Sequence, residues 1–160
     1  MTGLPTAPPS SLFTPLRIGT FDVRNRLMQA AHSKQYSDRV ESARETAYFV
    51  RRARGGCALF VAGNHFVHPS GSIRNFEDAF RPESVAANRR MTAAVHREGA
   101  RILVQLNHHG AQAQPDGPDG PRAVSAPSRL LSPSTGHATR AASRRDIAEL
   151  VDGWARSAAL

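Results

Sequence analysis

An α/β fold built on a parallel sheet and entered through a short β-hairpin is what the sequence predicts, on three observations. Apolar runs alternate with amphipathic stretches in the order strand, helix, strand, helix, strand, the pattern of right-handed βαβ units. Helix start and stop signals separate these stretches. Polar residues gather where each expected strand ends, which is the edge at which parallel α/β folds hold ligands.

The 160 residues, 40% hydrophobic and 21% charged, suit one folded domain and exclude wholesale disorder, while 11 Pro and 12 Gly leave room for large loops. There are 21 basic residues against 13 acidic ones, a net charge of +8, and every basic residue except Lys34 is Arg. Such an excess favours nucleic acid or other anionic partners through long-range attraction. The arginines are dispersed from Arg17 to Arg156, however, with short pairs in or just before expected helices. A solvated outer face explains them about as well as a binding stripe, and no nucleic-acid partner is expected. The single cysteine, Cys57, cannot form an internal disulfide and reads as a buried, inert thiol. Residues 1–11 lack the basic and apolar regions of a leader and are expected to be flexible. No run of about 18 apolar residues occurs, so no membrane association and a cytoplasmic location are expected.

Taken in order, Leu16–Val23 alternates around Gly19-Thr20 and predicts the hairpin. Leu27–Ala31 is a candidate strand. Ser42 and Glu45 have capping-box spacing, predicting a helix over 43–54 with Ala43, Ala47, Val50 and Arg54 along one stripe and Gly55 as its stop. Ala58–Ala62 is apolar without alternation, as in a strand covered on both faces, and is expected to end at Gly63. A second helix fits from Pro82 to Gly99, with Ala87, Met91, Ala94 and Val95 inward. Arg101–Leu106 is the third strand, with Ile102, Val104 and Leu106 on one face and Leu103 and Gln105 on the other. Residues 107–142 form a Pro- and Gly-rich loop far longer than the usual ~2–6 residues. Ser143 to Asp146 then caps a helix with Ile147, Leu150, Val151, Trp154 and Ala158 along an apolar stripe. Three such units leave both edge strands unpaired and one sheet face uncovered.

The polar strand ends comprise His32 and Ser33, then Asn64 and His65, then Gln105, Asn107, His108 and His109. With His68 they include five histidines, but His65 and His68 lie in an expected loop and no Cys or acidic residue stands near the set, so no metal is expected. Ser33 beside His32 lacks a nucleophile elbow, and no catalytic residue is assigned. Dinucleotide and P-loop glycine signatures are absent.

Several ordered motifs resemble the old yellow enzyme family of FMN-dependent oxidoreductases: Leu12–Gly19, Asn25–Leu27, Tyr48–Gly56, Ala94–Ala100, Gln105–Gly110 and Ala126–Ser128. Gln29–Ser33 is similar to the branch containing trimethylamine dehydrogenase, 2,4-dienoyl-CoA reductase and mycofactocin-associated oxidoreductases. The resemblance implies a TIM barrel, of which this chain carries the first three βα units behind the hairpin. It further implies FMN at the carboxyl ends of the strands, lined by the backbone around Ala30, Ala31, His32 and Ser33, with Asn64 near the ring and the Gln105 amide on its pyrimidine edge. NAD(P)H would be the reductant, and an activated alkene or related small molecule the acceptor. Ser33 stands where trimethylamine dehydrogenases carry the cysteine that bonds FMN, so attachment is expected to be non-covalent. Ala31 replaces a proline common in that motif, and Ala111 stands where many members have Arg.

A TIM barrel takes about 250 residues, and in the family the proton donor and the phosphate grip follow the third unit. The chain is therefore expected to be an amino-terminal portion, inactive on its own. The alternative is a non-catalytic half-barrel that pairs with another chain or with itself through its open strand edges.

Overall fold

In a computed structural model of the chain, residues 11–117 and 119–160 are described. The expected flexible segment lies outside them except for Ser11, which opens a 3-10 turn over Ser11–Phe13. Strands β1 (Leu16–Ile18) and β2 (Phe21–Val23) make the antiparallel hairpin, with Gly19 at φ +55° in its turn. There follow β3 (Met28–Gln29), α1 (Ala43–Arg54), β4 (Leu59–Phe66), β5 (Glu77–Asp78), α2 (Pro82–Arg97) and β6 (Arg101–Asn107). Next are β7 (Asp116–Gly117), β8 (Gly120–Pro121), β9 (Ser125–Ala126), β10 (Arg140–Ala141) and α3 (Arg144–Ala159). No helix among the described residues is long and apolar enough to cross a membrane.

Strand β4 is the spine. It pairs in parallel with β3 on one side (Met28 opposite Leu59) and with β6 on the other (Leu59 opposite Arg101), the register shifting between Ala62 and His65. Two expected boundaries move. Strand β3 is shorter than Leu27–Ala31, because further along β4 the partner is β5, with His65 opposite Glu77. Strand β5 lies between β4 and Arg39, which bridges to Glu77, so the chain leaving β3 is held one strand away. Strand β4 itself runs on through Gly63 to Phe66, since β5 and β6 continue to bond its backbone there.

Phe49 and Ala53 of α1, Phe60 and Ala62 of β4, Met91 and Val95 of α2, and Ala100 and Ile102 form the core between sheet and helices. Tyr48, Phe49 and Phe60 meet edge to face, with ring centres 5.4 Å apart at each step. Each buried Phe or Met contributes roughly 1.5–3 kcal/mol. This decides the face of α1: Glu45, Phe49 and Ala53 point inward, not the expected stripe, of which Ala43, Ala47 and Arg54 are exposed. One phenyl ring outweighs two methyl groups. Helix α2 buries Ala87, Met91 and Val95 as its periodicity predicts. The hairpin covers the amino ends of the strands, where Leu16, Ile18, Phe21 and Val23 pack on Ala58 and Leu59. Cys57 is half-buried rather than enclosed, its thiol 3.3 Å from the Leu59 carbonyl.

The long excursion after β6 is ordered. It contains the β7–β8 hairpin and a parallel β9–β10 pair. Asp119 ties the hairpin to Arg39 at 2.6 Å and to Arg81 at 3.4 Å, and Arg122 donates to the carbonyls of Pro69, Ser72 and Gln114. These long-range polar contacts replace the hydrophobic pattern that would have announced them in the sequence.

Helix α3 begins with a full capping box between Ser143 and Asp146. It docks through its small residues, Gly153 and Ser157, rather than its apolar stripe; Val151 is 64% exposed and Trp154 42%. A Cβ on Gly153 would lie 2.8 Å from the Val67 carbonyl oxygen, backbone against backbone. Gly153→Ala therefore lifts α3 and lowers stability by about 1–3 kcal/mol in urea unfolding; an unchanged midpoint would contradict this docking.

Candidate functional site

The carboxyl ends of the first two units and of β6 converge at Gly63. A Cβ on this residue would stand 2.8 Å from Gln105 Oε1 and 3.1 Å from the Ala31 methyl carbon, so a side chain here would push the Gln105 amide aside and crowd Ala31. One residue on, Asn64 donates from Nδ2 to Ser33 Oγ at 3.0 Å. The structure thus brings together Ala31, Ser33, Asn64 and Gln105. Ala30 and His32 are their exposed neighbours on the same stretch of chain. The result is a shelf poor in side chains, walled by alanine and glycine, with the exposed amide of Gln105 beside it. Such a shelf accepts a flat group, and a primary amide both donates and accepts at its edge.

Behind the shelf lies a buried polar cluster that the sequence did not announce. Lys34 and Glu45 pair at 2.7 Å with side chains only 3% and 4% exposed. The ammonium also donates to the His32 carbonyl at 2.9 Å and sits 4.5 Å above the Phe49 ring centre. Ser37 donates to the second oxygen of Glu45. Glu45 is thereby drawn from the reciprocal half of the expected capping box; the Ser42 hydroxyl accepts from the Glu45 N–H, and the Glu41 carboxylate from the Thr46 N–H. Removing one partner of such a pair leaves an uncompensated buried charge, at a cost of about 3–5 kcal/mol. Glu77 and His65, register partners on adjacent strands, face the same cluster. Burial, reinforced by the Glu45 charge, raises the Glu77 carboxyl to about 7. Burial lowers His65 to about 4, and its Nε2 lies 3.4 Å from Asn88 Oδ1.

A second missed group bridges the ends of β4 and β6. The Gly110 N–H donates to His108 Nδ1 at 3.0 Å, which leaves the His108 Nε2–H to donate to Ser70 Oγ at 2.9 Å. The Ser70 hydroxyl then donates to His68 Nδ1 at 2.8 Å. These bonds suit two neutral rings, each accepting at Nδ1, and burial keeps His108 down to about 4. Ser70 is therefore a bridge rather than an activated nucleophile. Ser33 is likewise bonded to Asn64 and not to His32. The expectation that no acid stands near the histidines fails at His65, beside which β5 places Glu77; the strand pairing, invisible in the linear order, brings them together. Among the described residues no three His, Cys, Asp or Glu side chains are grouped to hold a metal ion.

The buried pair His65 and Glu77 predicts opposite pH slopes. Between about 4.5 and 7 the folded protein keeps the Glu77 proton that the unfolded chain has released, so this residue's contribution falls as pH rises and levels off above 7. Between 6.5 and about 4 the unfolded chain takes up a proton that folded His65 refuses, so stability falls on acidification. Glu77→Gln should therefore gain stability relative to the native chain on going from pH 5 to pH 8 in paired urea melts. An equal difference at both pH values would contradict the assignment.

Known proteins match this architecture. The sequence profile of the NADH:flavin oxidoreductase / NADH oxidase family matches residues 11–160. The metal reductase of Desulforamulus reducens is 33% identical over 93% of this chain and 22% of its own length. The NADH oxidase of Thermoanaerobacter brockii is 31% identical over 92% of this chain and 23% of its own. In fold, the old yellow enzyme homologue from Zymomonas mobilis superimposes with a TM-score of 0.81 at 24% identity, covering 92% of this chain and 44% of that structure. The chain spans about a fifth to a quarter of the length of these curated relatives. Its three βα units and leading hairpin are part of a TIM barrel, and the chain belongs to the NADH:flavin oxidoreductase / NADH oxidase family, the old yellow enzyme family that its motifs resemble.

Proposed function

We propose that this chain builds the ring-edge wall of a non-covalent FMN site in an NAD(P)H-dependent oxidoreductase that acts on a small electrophilic molecule such as an activated alkene. The convergence of Ala31 and Gln105 on Gly63 carries this reading, because a planar heterocycle needs a shelf without side chains and a paired donor and acceptor at its rim. In this reading Gln105 bonds the pyrimidine edge, the backbone of Ala30, Ala31, His32 and Ser33 lines the ring, and Asn64 keeps one N–H and its oxygen for the same group. Ser33 has no thiol to attach the flavin. When bound, FMN supplies hydride transfer between the nicotinamide and the acceptor, while the residues named here bind and orient the ring and exclude water from one side of it. No catalytic acid is assigned within the 160 residues, and turnover is assigned to a completed barrel.

One further observation favours a second reading for the chain by itself, a half-barrel that pairs through its open side. Leu103 is 48% exposed on β6, which pairs only with β4 among the described strands, and the apolar stripe of α3 is exposed as well. A defined oligomer with cooperative melting in light scattering supports pairing, and a monomer argues against it.

Because the assigned groups meet the ring rather than its phosphate tail, lumiflavin should bind the chain within a few-fold of FMN in a fluorescence titration. Replacing Gln105 by Leu weakens both by about fivefold, the loss of roughly 1 kcal/mol of hydrogen bonding. FMN binding orders of magnitude tighter than lumiflavin, or indifference to Gln105→Leu, would place the grip elsewhere.

A further inference from the structure

We propose that Lys34 is a positioning residue for the flavin-facing backbone: its ammonium, seated between the Glu45 carboxylate and the His32 carbonyl, fixes the direction of the His32–Ser33 peptide. The proposal rests on the flavin reading above and names the side chain that shapes the lining.

The geometry is specific. Lys34 Nζ lies 2.9 Å from His32 O and 2.7 Å from Glu45 Oε1, with the face of Phe49 on a third side. In a planar trans peptide the C=O and N–H point in opposite directions. Turning the His32 oxygen inward to Lys34 therefore turns the Ser33 N–H outward, toward the shelf that Ser33 shares with Asn64. The chain next bends at Gln35, whose φ of +55° is a left-handed conformation that a side chain disfavours. Glu45 grips both flanks of that bend, Lys34 on one oxygen and Ser37 on the other, and is itself fixed in the first turn of α1 by the Ser42 hydroxyl. The local conformation is thus over-determined by one carboxylate. A compact ammonium suits this seat better than a planar guanidinium. In a chain whose other 20 basic residues are arginines, its single lysine occupies it.

Lys34→Met alone strands the Glu45 charge, so the decisive variant is Lys34→Met with Glu45→Met, which removes both charges at similar volume. The double variant should melt within a few degrees of the native chain, yet lower the backbone NMR order parameters of residues 32–35 toward those of a flexible loop and bind lumiflavin about tenfold more weakly. A purely structural ion pair predicts native order parameters and native ring affinity once both charges are gone, and that result overturns the proposal. If the unaltered chain does not bind lumiflavin, the flavin reading fails, and the order-parameter comparison still decides the role of Lys34. The unaltered protein offers an independent check by nitrogen NMR, where a slowly exchanging Lys34 ammonium is expected and a freely exchanging one contradicts the seat.

Discussion

The absence of a side chain at Gly63 governs the site. Strand β4 carries the pairing of the whole sheet, and where it passes between Ala31 and Gln105 a Cβ at position 63 would lie 3.1 Å from the Ala31 methyl carbon and displace the Gln105 amide. Beside that approach stand the alanine at 31, the exposed Gln105 amide, and the Asn64–Ser33 bond that joins the first and second units. A bulky residue at 63 would leave the helices and their core of Phe49, Phe60, Met91 and Val95 able to pack, because that core lies on the other face of the sheet. The fold and the site thus rest on opposite faces of the same strand.

The charged residues do less at long range than the net charge suggests and more at short range. Arg24 donates to the carbonyls of Ala53, Cys57 and Glu98, tying the turn after the hairpin to the ends of two helices. Arg122 does the same for the loop after β4, and Asp119 holds the β7–β8 hairpin through Arg39 and Arg81. Guanidinium groups, with several donors in a fixed fork, suit the clamping of main-chain oxygens. The buried pair of Lys34 and Glu45 is bonded through Lys34 to the His32 carbonyl, beside the stretch of chain that carries Ala30 to Ser33.

Much of this was legible in the sequence where local rules decide. The hairpin turn at Gly19, the caps at Ser42 and Ser143, the inward stripe of α2 and the placement of Gln105 opposite the core all follow from spacing. The family motifs located Ala31, Ser33, Asn64 and Gln105 as one group. Long-range pairing was not legible. Nothing in Glu77-Asp78 signals a strand until β4 offers it an edge, and the shortened β3 is a consequence of that. The alanine periodicity of α1 points to the wrong inward face, because it is a weaker determinant than one phenylalanine. Glu45 fitted a capping box on paper, yet the structure gives it to Lys34 and Ser37. The one available hint was Lys34 itself, the single lysine in an arginine-rich chain, standing directly after the motif.

The central claim is that a flat heterocycle lodges where Ala31, Gly63 and Gln105 converge. Amide chemical-shift mapping of the isotope-labelled chain with lumiflavin tests it most directly. The account predicts perturbations centred on residues 30–33, on Gly63 and Asn64, and on the Gln105 side-chain amide. Shifts confined to the groove between α1 and α2, around Ala47 and Ala93, would contradict it.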